Sequence, residues 1–280
     1  MTAFVNNVKT LVLLSVLTGV LVGVGGLMGR QFIIPFAVMA GVMNLGAWFF
    51  SDKIAIAAMR GREVDESSAP ELVRMVGELS RRAGLPMPRV YVCPHAAPNA
   101  FATGRSPSRA AVAVTEGAMR MLSREELEGV MAHELAHVKN RDTLTSAIAA
   151  TVAGVLASVA QWGLLLGGGN REGGNPLAAI AAMILAPVAA AIIQATISRS
   201  REFVADADGA RIAGSPRGLI SALAKLDAAS RRVPLVSPNP AQNSMFIVEP
   251  FSGGRSLVRF FATHPPTEKR IAALQRLGAG

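Results

Sequence analysis

The sequence predicts an α+β protein that is mainly helical: four membrane-crossing helices joined to a soluble domain with a small β-sheet. Three observations lead there. Four long segments carry no charge. Two polar stretches alternate with them. Within those stretches, a few short β-branched runs sit among helices with one apolar face. The chain has 280 residues, enough for a membrane part plus a soluble domain. Hydrophobic residues make up 51% and charged residues only 17%, which is poor in charge for a soluble protein of this size.

The uncharged segments, after trimming of their polar ends, are Thr10–Gly29, Gln31–Ser51, Thr143–Asn170 and Gly173–Arg199. About twenty apolar residues cross a hydrocarbon core. The first segment lacks a convincing small-residue cleavage site and is followed at once by another, so it reads as an uncleaved anchor. Arg30 alone separates the first two, which therefore form a tight hairpin. The third and fourth are rich in Ala, Gly, Ser and Thr, a composition that suits helix packing in a bilayer and also a buried soluble hairpin. Lys9, Lys53, Arg60, Arg62, Lys139, Arg141, Arg199 and Arg201 flank the segments on one side, against Arg30 and Arg171 on the other. The positive-inside rule puts the first side, with both termini, in the cytoplasm. The expected organisation is a membrane hairpin over 1–52, soluble chain over 53–142, a second hairpin over 143–199 and soluble chain again over 200–280.

In the soluble part, Pro70–Ala83 reads as an amphipathic helix with Leu72, Val73, Val76 and Leu79 inward. Arg89–Cys93 and Ala110–Val114 read as short strands, and Asn99–Thr103 as a third, exposed one. Ser123-Arg124-Glu125-Glu126 is a capping box that starts a helix running through Leu127, Val130 and Met131. Arg201–Ala213, stopped at Gly214, then Pro216–Ala229 and finally Pro265–Leu277 read as helices. Val233–Gly254 reads mostly as loop. A net charge of +9 raises the question of nucleic acid, but aromatics are 5% and no stacking motif or arginine-rich block accompanies it, so no nucleic-acid partner is expected. The single cysteine, Cys93, excludes an internal disulfide framework and reads as a core residue.

The helix that starts at Ser123 carries His133-Glu134-Leu135-Ala136-His137. Residues four apart share a helix face, so both histidines can grip one zinc ion while Glu134, one position round, can take a proton from an activated water and pass it to a leaving amine. Two helical histidines can also be ordinary surface residues; the capped helix context favours the metal. A catalytic zinc takes three protein ligands. His95, His264 or a carboxylate on a second helix could complete the set, and Glu202 is the best placed. If both later segments cross the bilayer, Glu202 returns to the side of His137. Along continuous helices, His137 lies about 9 Å before Thr143 and Glu202 about 6 Å after Ser198, which matches their heights. Asp206, four residues on, is placed to accept the free ring N–H of a ligand histidine.

The run His133-Glu134-Leu135-Ala136-His137-Val138-Lys139-Asn140-Arg141-Asp142, with Arg201-Glu202-Phe203-Val204-Ala205-Asp206 and Thr263-His264-Pro265-Pro266-Thr267-Glu268, resembles the HtpX membrane metalloproteases, bacterial relatives of the CAAX prenyl proteases. The resemblance covers nearly the whole chain. It implies a zincin-like catalytic domain of gluzincin type in the bacterial inner membrane, with one Zn2+ per chain held by His133, His137 and Glu202. It also implies an endopeptidase serving membrane-protein quality control, with lipid bilayer and polypeptide substrates as partners. Asn99-Ala100-Phe101-Ala102 matches a segment that such proteases place beside the cleft: an exposed edge can pair with a substrate backbone, or the strand can be purely structural. His264 is either a donor to the oxyanion of a tetrahedral intermediate or a packing residue at a helix start.

Two other functions compete. An intramembrane protease needs its motif inside an apolar span, whereas Arg124, Glu125, Glu126 and Glu128 precede this one and Lys139 and Arg141 follow it. A non-proteolytic zinc-binding membrane scaffold would have four protein ligands and no use for Glu134.

Overall fold

The computed structural model describes residues 2–149, 151–152, 155–156, 199–230 and 265–278. Helix α1 (Thr2–Met28) and helix α2 (Ile33–Ala58) form the N-terminal hairpin, joined by a 3-10 turn over Arg30–Phe32. Among the described residues, two helical stretches are long and apolar enough to cross a bilayer, Val5–Gly26 and Arg30–Ala58. Their outward faces carry exposed Leu11, Val12, Ile34, Val38, Val42 and Leu45. Water would penalise such a surface and lipid would not. The inward face of α1, with Leu13, Leu17 and Leu21, packs on Ala40 of α2 and on Leu144, Ile148, Val152 and Leu156 of the third apolar segment. The fourth apolar segment and the 233–254 stretch lie outside the described residues.

The sheet has four strands in the order β1-β2-β4-β3: β1 (Arg62–Val64), β2 (Arg89–Cys93), β3 (Ala100–Thr103) and β4 (Ala111–Thr115). β2 and β4 run parallel, with Arg89 opposite Ala111, and the other two pairings are antiparallel. Alternation along the strands splits their side chains between two cores. Val90, Val92, Ala100, Val112 and Val114 face the soluble helices. Tyr91, Cys93, Phe101, Ala111 and Ala113 face the C-terminal end of α2, at Ala55, Ile56 and Met59. That second layer explains why α2 runs past Ser51, where its uncharged segment stops. Asp52, one residue on, pairs with Arg89 of the sheet, and Lys53 lies over the Phe50 ring. β3 is an edge strand as predicted, yet Ala100 and Phe101 are buried, because one face packs on α2 and the other on the soluble core.

Helix α3 (Pro70–Ala83) opens with Pro at its first position and closes at Gly84, whose φ of 69° suits glycine. A short α4 (Glu116–Met121) is capped by the Thr115 hydroxyl and precedes α5 (Arg124–Lys139). The predicted capping box is formed: Glu126 N donates to Ser123 Oγ and Ser123 N donates to Glu126 Oε2. The sequence reading carries α5 straight into the third apolar segment. Instead α5 stops at Lys139, Arg141 adopts a φ of 58°, and a new helix α6 starts over residues 142–149. Helices α7 (Arg199–Ala213), α8 (Arg217–Ser230) and α9 (Thr267–Gly278) complete the soluble core, and α7 ends before Gly214 as expected. Met131, Leu135, Leu219, Leu223 and Leu274 are fully buried between them, each stabilising the fold by about 1.5–3 kcal/mol.

Candidate metal centre

Two helices supply the centre, and small residues let them meet. A Cβ at Gly209 of α7 would lie 2.8 Å from His133 Cα, and one at Gly218 of α8 would lie 2.2 Å from the Glu125 carbonyl oxygen. Only glycine permits such approach of α7 and α8 to α5. Glu126 adds polar ties across the second contact, accepting from Ser221 Oγ at 2.6 Å and from Lys225 Nζ at 2.8 Å.

At the first contact, His133 and His137 turn their Nε2 atoms toward each other at 3.2 Å. Glu202 of α7 faces both, with Oε2 3.7 Å from His133 Nε2 and Oε1 3.5 Å from His137 Nε2. One donor atom from each of the three residues lies within 4.8 Å of the other two. A tetrahedral zinc with ligand bonds near 2.05 Å separates its donors by about 3.3 Å. The separations here bracket that value, and two facing imidazole nitrogens with a carboxylate form a donor set that a divalent cation satisfies. The residues therefore fit a metal.

The surroundings favour Nε2 as the atom each ring presents, with Arg270 Nη2 3.4 Å from His133 Nε2. Asp206 Oδ1 lies 3.0 Å from His133 Nδ1, off the N–H axis but close enough to favour a proton there. Asp142 Oδ2 lies 3.2 Å from His137 Nδ1. Each contact leaves Nε2 as the lone-pair donor. Arg270 of α9, 1% exposed, closes the back of the centre: Nη2 and Nε donate to Asp206 Oδ1 and Oδ2 at 2.6 and 2.8 Å, and Nη1 lies 3.7 Å from Glu202 Oε2. Burial would raise the Asp206 carboxyl, but Arg270 outweighs it and holds it at about 2. Burial lowers and the neighbouring carboxylates of Asp142, Glu202 and Glu134 raise the metal-free His137, leaving it at about 9. Burial pushes the Glu134 carboxyl up against the opposing pull of the two histidines. Its Oε2 accepts from the Ala102 amide of β3 at 2.8 Å.

Of the residues singled out in the sequence, the structure brings His133, Glu134, His137, Glu202 and Asp206 together and sets the 100–103 strand against Glu134. Asn99 opens that strand with its carbonyl accepting from Thr115 N at 2.9 Å, and Phe101 points into the core under α2. His95, one alternative for the third ligand, is engaged elsewhere, Nε2 to the Met59 carbonyl at 3.0 Å. His264 lies outside the described residues. Arg270 is the contributor that sequence reasoning missed. It ends the run Thr267-Glu268-Lys269-Arg270, which looks like a solvated helix start, and only its near-zero exposure reveals it.

A helix-borne pair of imidazoles, a carboxylate from a second helix, a buried glutamate beside them and an apolar N-terminal hairpin define a membrane metalloprotease. The chain belongs to peptidase family M48: the model described as "Peptidase family M48" matches residues 66–277. It is 52% identical to the "Protease HtpX homolog" of Pyrococcus furiosus, over 96% of this chain and 95% of that one. To the protein of the same description from Syntrophobacter fumaroxidans it is 50% identical, over 97% of this chain and 99% of the other. Among solved structures, the crystal structure of S. mikatae Ste24p superposes with a TM-score of 0.52 at 17% identity, covering 98% of this chain and 66% of that longer one. That likeness concerns the fold.

Proposed function

We propose that the chain is a zinc endopeptidase that cuts misfolded or damaged membrane proteins on the cytoplasmic side of a bacterial inner membrane. The observation that carries the reading is the convergence of His133, His137 and Glu202, with Glu134 buried beside them and bonded to a sheet edge. In this reading the catalytic domain is split between 53–142 and 200–280, two membrane hairpins occupy 1–52 and 143–199, and both termini are cytoplasmic. The packing of the third apolar segment along α1 supports the second hairpin, and the basic flanks support the orientation. Only three donor residues converge among the described residues, which suits an open catalytic site better than a four-ligand structural one.

His133, His137 and Glu202 would hold the zinc, which when bound polarises a peptide carbonyl and acidifies a water. Asp206 and Asp142 keep the two imidazoles in the tautomer that presents Nε2. The Glu134 carboxylate accepts the proton of the attacking water and returns it to the departing amine nitrogen. The Ala102 amide orients Glu134 through Oε2. The same strand positions the substrate. Asn99 pairs with Thr115 through the backbone, so Phe101 and Thr103 also bond to β4, while the Ala100 backbone groups and the Ala102 carbonyl turn to the open edge. An extended polypeptide adding to that edge lies beside Glu134. His264, six residues before Arg270, is the candidate donor to the developing oxyanion.

The test is the full chain stripped with chelator and reloaded with zinc while cleavage of an unfolded substrate is followed. Glu134→Gln should bind one zinc per chain with turnover reduced about 10²–10⁴-fold. Undiminished turnover by this variant rejects the assigned base, and chelator-resistant cleavage rejects the metal.

A further inference from the structure

A line of buried polar contacts leaves the centre and ends on the first membrane helix. His137 Nδ1 meets Asp142 Oδ2 at 3.2 Å. The other oxygen, Asp142 Oδ1, accepts from Asn6 Nδ2 at 3.0 Å. Asn6 Nδ2 also reaches the Arg141 carbonyl at 3.2 Å, and Asn6 Oδ1 accepts from Arg201 Nη1 at 2.9 Å. Arg201 Nη1 in turn lies 3.3 Å from Asp142 Oδ1. Asn6 is 4% exposed and Asp142 3%. A carboxamide suits this place because it donates to a carboxylate and accepts from a guanidinium without adding charge. The αL turn at Arg141 makes the line possible by ending α5, so that Asp142 folds back toward His137. One turn along α1 from Asn6, Thr10 Oγ1 meets Thr145 Oγ1 at 3.2 Å and repeats the helix contact without touching Asp142.

We infer that Asn6 is a positioning residue of the metal centre. It fixes the Asp142 carboxylate, which fixes the tautomer and ring orientation of His137. The membrane hairpin is then a working part of the centre rather than a tether, because displacing α1 releases Asp142. The inference rests on His137 being a metal ligand.

The experiment uses the full-length chain in detergent. Zinc affinity is read by competition with a chromophoric chelator, and ligand geometry by the d–d absorption of the Co2+-loaded protein. Asn6→Leu should weaken zinc affinity about 10-fold, the low end of the effect of removing a ligand's own hydrogen-bond partner, because Asn6 acts through Asp142, and should alter the Co2+ band. Thr10→Val should leave both unchanged. Parent-like affinity and spectrum in Asn6→Leu overturn the inference, as does an equal loss in Thr10→Val, which would make the effect one of helix packing. If Asn6→Leu does not fold, Asn6→Asp at pH 8 is read instead. It keeps the shape but cannot donate to Asp142, so the same loss is expected and parent-like binding overturns the inference. His137→Ala separates the two readings. Parent-like zinc binding by His137→Ala defeats the ligand assignment itself, whereas loss there with none in Asn6→Leu defeats only the role of Asn6.

Discussion

Arg270 and Asp206 show how much a single buried pair can carry. Both are within 2% of full burial, and the guanidinium is the counter-charge for Asp206 and a neighbour of Glu202. Removing one member of such a pair strands the other, so Arg270→Ala should cost about 3–5 kcal/mol. In a double-mutant cycle by thermal unfolding in detergent, Arg270→Met with Asp206→Asn should lose less than the sum of the two single changes. Strict additivity would mean that the ion pair contributes nothing. The histidine pair of the proposed metal centre was readable from spacing, because the helical repeat puts His133 and His137 on one face whatever surrounds them. Arg270 was not readable in that way. Burial of a charged side chain depends on partners distant in the chain, here Asp206, and no local pattern encodes it.

At the junctions between helices the requirements are steric and electrostatic. Gly209→Ala pushes a methyl group against the backbone of His133. It should destabilise by about 1–3 kcal/mol and lower zinc affinity, since α7 carries Glu202. Gly77→Ala in α3 meets only Met87 Sδ, at 3.7 Å, and should be neutral or stabilising by up to about 1 kcal/mol. Equal effects of the two changes would show that the α5–α7 approach is not what Gly209 provides. Glu126 makes the other junction sensitive to acid. Burial would raise its carboxyl, but Lys225, Ser221 and the Ser123 amide together hold it at about 2, below the ordinary 4.5. A depressed acid stabilises the fold above its unfolded pKa. That contribution is lost as pH falls from 4.5 toward 2. Glu126→Gln should therefore flatten the loss of unfolding midpoint across that window and lower the midpoint at pH 7. The capping box was legible because it is a local exchange between Ser123 and Glu126. Strand β1 was not, because Arg62-Glu63-Val64 has one apolar residue and exists by pairing with β2. α4, six residues long and capped by Thr115, was missed for the same lack of a periodic signal.

For the molecule as a whole, the single cysteine makes its seating in the membrane measurable. Cys93 is fully buried, and burial pushes its thiol up to about 11, so maleimide at neutral pH should leave it unmodified. Against that silent background, a cysteine at Val42 should resist an impermeant maleimide in vesicles of either orientation. A cysteine at Glu66 on the soluble surface should label only in inside-out vesicles. Labelling of Glu66→Cys in right-side-out vesicles alone would reverse the orientation proposed here.

Local physics was enough for a good part of this protein. Charge-free length marked the N-terminal hairpin, and helical and strand periodicity marked most of the soluble elements. Spacing of four marked the histidine pair, because each of these depends on residues within one or two turns of each other. Folding had to decide the rest. It set the bend at Arg141 that turns Asp142 back onto His137, and the burial of Arg270 behind Glu202. It also wedged the sheet between the soluble helices and the end of α2. Those outcomes come from contacts between segments far apart in the chain, whose free energy exists only once the helices are packed and water has been excluded between them.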